Sequence, residues 1–285
     1  MTRVIALVCA TLVAAQPASL DAVLSRLDAY LADYQPRLSE LVADESMHQE
    51  VRGTRPAQPS DVTRGDNRFP LRRQLESEVA FIALPDDRGW LGFRHVKTVN
   101  ARPVALGDAS LSATLSTPGF DAARELLIAS ATHNLGLSRT TNLPNLPLEF
   151  LHKRNRHRLL PRLNGTETVR GVRTVKVVFI ERVTPTLILN PESGGDMPSV
   201  IRAWVDPRDG RLLRAEVETF PAFGAKQYSQ DLQVEFAHDR TFGLLVPMEM
   251  REVFPAADPG RGTGVARYSN FRRFQTSARI VPQEE

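Results

Sequence analysis

Cysteine is all but missing from this chain. Its one thiol, Cys9, lies inside an apolar N-terminal run, so the rest can form no disulfide and no thiolate metal site. Stability must come from packing, and roughly 270 residues beyond that run are enough to bury a sizeable core. Lysine is scarce too: four lysines stand among 36 basic residues, and the rest are arginine. The formal net charge of +3 over 285 residues is nearly balanced, and no basic stripe marks a nucleic-acid partner. No apolar run approaches the roughly 20 residues of a membrane-spanning helix.

The signatures of chemistry are also missing. There is no Gly-x-Ser-x-Gly elbow, no glycine-rich phosphate or dinucleotide loop and no metalloprotease helix motif. The six histidines form no ligand pair; His152 and His157, five apart across a helix-to-strand transition, need not converge. Ser193-Gly194-Gly195-Asp196 lies between strands with no following helix to hold an anion, and reads as a connector. Asp206 and Asp209 read as turn formers, since an oxygen cage needs more carboxylates nearby. Glu249 and Glu252 read as a solvated strand face. No catalytic residue, metal ligand or cofactor is assigned.

What is present begins with a leader. Met1-Thr2-Arg3, an apolar run from Val4 to Ala15 and then Gln16-Pro17-Ala18 make a secretory signal over 1–15, with cleavage after Ala15 or as late as Ala18. The expected location is periplasmic or extracellular, with no membrane anchor once the signal is removed. A single domain is expected over 19–285. Leu20, Val23, Leu24, Leu27, Tyr30, Leu31 and Tyr34 recur at helical spacing behind a Ser19 cap. Pro36 should kink this helix, with Leu38, Leu41 and Val42 continuing its stripe, giving a helical segment over 19–44. Its polar face carries Asp21, Asp28 and Asp33, unlike a basic membrane-surface helix.

Strands follow at Glu45–Val51, Leu71–Leu84 and Trp90–Val96, with a flexible loop over 53–69 and turns at Asp86–Gly89 and Asn100. A helical section is expected from Thr117 to Gly136, then a short helix capped by Asn145 and carrying Leu148 and Leu151. Beyond Arg156 the chain is nearly all strand, turning at Asn164-Gly165, Asp206–Gly210, Asp239–Gly243 and Asp258–Gly264. The stretch Gly171–Thr219 is the most explicit. Leu213, Ala215, Val217 and Thr219 alternate with Arg214, Glu216 and Glu218, a strand with one face on a core. Val175, Val177 and Phe179 oppose Val178 and Ile180, so that strand is expected to be central and covered on both faces. Asp206-Pro207 and Gly210 spell a type I turn closed by a glycine bulge. The fold class is therefore α+β: a curved, half-barrel-like antiparallel meander covered by an N-terminal helix and inserted helices.

The strand-turn-strand AWVDPRDGRLLRAEVE, behind an N-terminal helix in an exported chain, resembles the outer-membrane lipoprotein carrier superfamily over residues 171–254. The resemblance implies a half-open antiparallel barrel closed by helices that takes acyl chains in its cavity. It assigns no site residue here. From the residues themselves, aromatics on strands can line such a cavity, and Trp90, Phe93, Phe179, Trp204 and Phe236 are the candidate ligand-binding set. The expected function is non-enzymatic binding of a lipid or lipid-modified partner. Two alternatives stay open: an envelope scaffold whose aromatics are all core, and a hydrolase in which His152 or His157 meets a carboxylate.

Overall fold

A computed structural model describes residues 19–52, 70–83, 90–104, 128, 131–136, 139–190, 193–220, 229–255 and 261–273. The expected signal peptide over 1–15 with its cleavage sites, the expected loop over 53–69 and the expected turn over 86–89 lie outside the described residues. So do most of the expected helix between Thr117 and Gly136 and the first part of the turn at 258–264.

Helix α1 spans Leu20–Leu38, and Ser19 caps it by accepting the Ala22 amide at 3.3 Å. Pro36 does not break it. Placed in the last turn, the ring ends the helix two residues on, where the Ser39 amide still reaches the Gln35 carbonyl at 3.1 Å. The helical segment expected over 19–44 therefore stops at Leu38, and Leu41 and Val42 already belong to β1, Leu41–Arg52. Helical spacing had continued across the boundary only because apolar strand residues happened to fall in phase.

The strands β2 (Leu71–Ala83), β3 (Trp90–Val99) and β4 (Arg102–Pro103) follow β1. The second half holds β5 (Leu159–Val169), β6 (Val172–Glu181), β7 (Ser199–Val205), β8 (Leu212–Thr219), β9 (Gln230–Asp239), β10 (Leu244–Pro255) and β11 (Arg261–Arg273). All eleven join one sheet in the order β4-β3-β2-β1-β11-β10-β9-β8-β7-β6-β5. Two meanders are thus stitched together by the antiparallel pairing of β1 with β11. The sheet is curved and open, with β4 and β5 at its edges. Between the halves, the short helix α2 (Leu146–Leu151) leads into a 3₁₀ turn, Lys153–Arg158.

One face of this sheet is covered. The stripe Val23, Leu27, Leu31, Tyr34 and Leu38 of α1 and Leu148, Phe150 and Leu151 of α2 pack with Met47, Val79, Val177, Ile201, Val234 and Met250 from the strands. The opposite face is laced with cross-strand ion pairs such as Arg202–Glu218 at 2.7 Å and Arg214–Glu235 at 2.9 Å. The expected alternation on β8 holds from Arg214 onward, with Ala215, Val217 and Thr219 buried and Arg214, Glu216 and Glu218 half-buried. Leu213 departs from it, because a register shift puts Leu212 in the core and packs Leu213 with Trp204 on the other face.

Two expectations about the opening of this half are corrected. Strand β6 is second from the edge, not central, and Val178 and Ile180 on its outer face are only half-buried. The Asn164-Gly165 turn is a bulge within β5, where the register shifts between Leu163 and Thr166; the hairpin itself turns at Arg170-Gly171, both with positive φ. A glycine after asparagine satisfies either device, and the longer ladder decides between them.

Candidate functional site

The covered, concave face begins with the seating of α1. The β7–β8 hairpin turns as its residues predict: the Asp206 amide donates to the Arg211 carbonyl and the Gly210 amide to the Asp206 carbonyl, both at 2.9 Å. The turn does more than reverse the chain. Gly210 (φ +78°) lies directly against the helix backbone, and an added Cβ would stand 2.7 Å from the Leu27 nitrogen and closer still to the Arg26 carbonyl. The Asp206 carboxylate is fully buried and accepts from Arg208 and Arg211. These hydrogen bonds, Arg208 first, hold it below the usual carboxylate range. At the C-terminal end of the helix, Arg37 donates to the Phe242 and Gly243 carbonyls at 3.1 and 3.2 Å, in the β9–β10 hairpin. Asp28 pairs with Arg156 of the 3₁₀ turn.

Beneath α1, Tyr30 stacks on Tyr34 with centroids 5.1 Å apart, and Tyr34 lies 6.3 Å from Trp90. Both tyrosine hydroxyls and Gln35 Nε2 are buried without a hydrogen-bond partner among the described residues. Tyr34 is 1% exposed, and burial pushes its hydroxyl far above the usual phenol range, so it stays protonated and remains a donor. Native interiors rarely leave such a group unpaired.

The five candidate aromatics divide between the faces. Trp90, Phe179 and Phe236 belong to the concave core with α1 and α2. Phe179 is fully buried, with the Arg156 guanidinium 5.1 Å over its ring. Trp204 faces the other way, between Ala203 and Val205 of the core. It packs with Val169 and Leu213, donates to Glu167 at 2.7 Å and is flanked by Lys176 and Arg214. Phe93 alternates with Trp90, Gly92 and Arg94 and so also points away from the concave side, in a row with Val42 and Ala80.

A polar cluster that the sequence reading missed occupies the concave face of β1, β3 and β10. Glu45 and Arg94 form a buried bidentate pair, with Nη2 to Oε1 at 2.9 Å, and Arg94 also donates to the Asn142 side chain and carbonyl at 3.1 and 2.8 Å. Burial works against the Arg94 charge, yet the Glu45 carboxylate more than compensates and holds its pKa above the usual range. Glu252, expected on a solvated face, is 1% exposed. It accepts from Arg139 at 2.9 and 3.2 Å and from Gln49 at 3.3 Å. Gln49 further bridges Asn134 and the Leu135 amide at 3.0 and 2.7 Å. The cluster ties Asn134, Leu135, Arg139 and Asn142 to the sheet. Its signal was legible in principle: Glu45 and Gln49 share a strand face with Ala43 and Met47, as Glu252 does with Met250 and Phe254. Glu249 and Glu252, three apart, lie on opposite faces.

The other candidates resolve as local structure. His152 is buried and accepts the Arg154 amide at 3.2 Å at the start of the 3₁₀ turn, whereas His157 is exposed, so the two do not meet. Asn145 precedes α2 without a side-chain cap bond; it lies over Gly92, where a Cβ would come 2.9 Å from its Cγ. In the Ser193–Asp196 connector, Asp196 accepts from the Thr186 amide and hydroxyl at 2.6 and 3.2 Å. Among the described residues no three His, Cys, Asp or Glu side chains are placed to hold a metal, and no helix is long and apolar enough to cross a membrane.

No protein family and no curated protein matches this chain. Solved structures of similar architecture include a DUF1329 family protein from Desulfovibrio piger (12% identity over 89% of this chain and 90% of that one, TM-score 0.40). A putative outer membrane lipoprotein-sorting protein domain from Vibrio parahaemolyticus (11% identity, 90% and 93% covered, TM-score 0.41) is another. A third is the LolA superfamily protein NE2245 from Nitrosomonas europaea (11% identity, 90% and 94% covered, TM-score 0.33). At these identities no functional residue is carried across.

Proposed function

We propose that this is a non-enzymatic binding protein that holds an apolar ligand, a lipid or an acylated protein, between α1 and the concave face. Export by the signal over residues 1–15 would place it in the periplasm or outside the cell. Trp90, Phe179 and Phe236 would line the site; Phe93 and Trp204, on the other face, would not. The observation that carries the reading is the Tyr34 hydroxyl, protonated, 1% exposed and without a partner among the described residues, in the seam between helix and sheet. It is a donor held ready for an oxygen that none of the described residues supplies. The helix is held by the β7–β8 hairpin at Arg26–Leu27, by the Asp28–Arg156 ion pair and by Arg37 near its C-terminus.

Native mass spectrometry after gentle purification, with binding of a fluorescent fatty-acyl probe, tests this. Bound lipid or saturable probe binding is expected, and Tyr34→Phe should weaken the probe about fivefold, the net worth of about 1 kcal/mol for one hydrogen bond. The empty variant should be as stable as the parent or slightly more so, because an unpaired buried hydroxyl is removed. No lipid and no probe binding would sink the idea. That outcome would favour the scaffold reading, which draws on Phe179 being sealed beneath Arg156.

A further inference from the structure

Charge and exposed apolar surface meet at one corner of the molecule, where α2 ends and the edge strand β5 begins. Residues 152–166 (HKRNRHRLLPRLNGT) contain five Lys or Arg and two His and no acidic residue. The carboxylates that reach this stretch from elsewhere are already engaged: Glu149 with Arg154, Asp28 with Arg156 and Glu181 with Arg158. That leaves Lys153, Arg162 and Arg182, all exposed and with no carboxylate partner among the described residues. Arg182 belongs to the same corner, because Leu159 pairs with Glu181 and the Arg182 amide donates to the Arg158 carbonyl at 2.9 Å. The segment 182–190 leaves from there, fastened by Arg158 to the Val183 and Pro185 carbonyls.

Three of the five exposed large hydrophobic residues among those described lie on these same segments: Leu160 (37%), Leu163 (44%) and Leu189 (47%). Strand β5 is exposed on both faces from Arg162 to Thr168, so it projects beyond the core as a ridge. Such a bare edge ordinarily invites another strand. Here Pro161 offers no amide and the bulge over Leu163–Thr166 breaks the repeat, so pairing with a second chain is obstructed. Unpaired cations of one sign would also repel across a two-fold self-contact. Leucines that cannot serve strand pairing, set among unpaired cations, match the interface of an anionic bilayer, where apolar tips enter the acyl boundary and cations meet headgroups.

We infer that this corner, Leu160, Leu163 and Leu189 with Lys153, Arg162 and Arg182, docks the protein edge-on against an anionic lipid surface. The inference does not rest on the ligand reading, since surface docking needs no occupied seam.

Vesicle flotation of the full-length mature protein, after removal of any bound lipid, tests it. Vesicles of phosphatidylcholine alone are compared with vesicles in which about a third is phosphatidylglycerol. The protein should float only with the anionic vesicles and be released by high salt. Neutralising the three cations (Lys153→Gln, Arg162→Gln, Arg182→Gln) should lower partitioning about fivefold per charge, roughly a hundredfold together. Changing the three leucines to serine should weaken binding while keeping its salt dependence. Arg251→Gln, Arg261→Gln and Arg267→Gln, with the same change in net charge on β10 and β11, should leave binding intact. Unchanged thermal melts confirm that each variant is folded. Failure of the parent to float with anionic vesicles would overturn the inference, as would equal losses from the two charge triplets.

Discussion

Gly210→Ala is the sharpest test of how α1 is seated. Two costs act at that position and can be separated. An alanine at φ +78° pays the left-handed penalty of roughly 1–2 kcal/mol. Its Cβ would also enter the Arg26–Leu27 backbone, which no side-chain rotation can relieve, so the helix must move. Partial exposure of Leu27 and its neighbours adds on the order of 2–3 kcal/mol. The expected total is about 3–5 kcal/mol, a large part of the stability of an ordinary domain. Gly171→Ala supplies the control: its φ is +80° and nothing lies within 4 Å of an added Cβ. It should lose only the backbone penalty of about 1–2 kcal/mol. Urea titrations followed by circular dichroism and tryptophan fluorescence measure both. In thermal melts, a loss of about 3 kcal/mol should appear as a drop of roughly 6–12 °C. Equal destabilisation by the two substitutions would refute the reasoning, because the helix would then not rest on the hairpin.

Two further outcomes follow from the buried charges. Arg94→Met should cost about 3–5 kcal/mol by leaving Glu45 uncompensated, and adding Glu45→Leu should recover most of it; a urea double-mutant cycle with no coupling would contradict the geometry at Glu45. Asp206, whose pKa is depressed chiefly by its hydrogen bond from Arg208, contributes stability that is present in full above the unfolded value near pH 4. That contribution is lost as pH falls through the lower folded value. Asp206→Asn should therefore flatten stability between about pH 4 and the acid limit, read as the pH dependence of the urea midpoint; an unchanged acid slope would show that the carboxylate is not held by its arginines.

Much of the fold was legible because its signals are local. Period-two alternation identified β8, and Asp206-Pro207 with Gly210 identified its hairpin, since turn chemistry and strand faces are set by near neighbours. The errors came where local signals had two solutions. Leu41 and Val42 fit a helical stripe and a strand equally well, and Asn164-Gly165 fits a hairpin or a bulge. The candidate site was less legible. Aromatic content flagged all five candidates alike, and only the structure divided them into Trp90, Phe179 and Phe236 on the helix-covered face and Phe93 and Trp204 on the other, because composition says nothing about which face a strand turns inward.

The sequence by itself determined the cysteine-free core, the meander of amphipathic strands, the capped helix and the glycine turn that receives it. Only the tertiary structure decided that Glu252 is buried, because its partner Arg139 stands 113 residues away and burial of a charge is a property of what covers it. Only the structure, likewise, showed the Tyr34 hydroxyl without a partner among the described residues and brought Arg182, from which the segment bearing Leu189 leaves, beside the basic stretch that precedes β5. Periodicity is written along the chain. Which charge is answered and which is left open depends on contacts between residues far apart, and those exist only once the sheet has assembled beneath its helices.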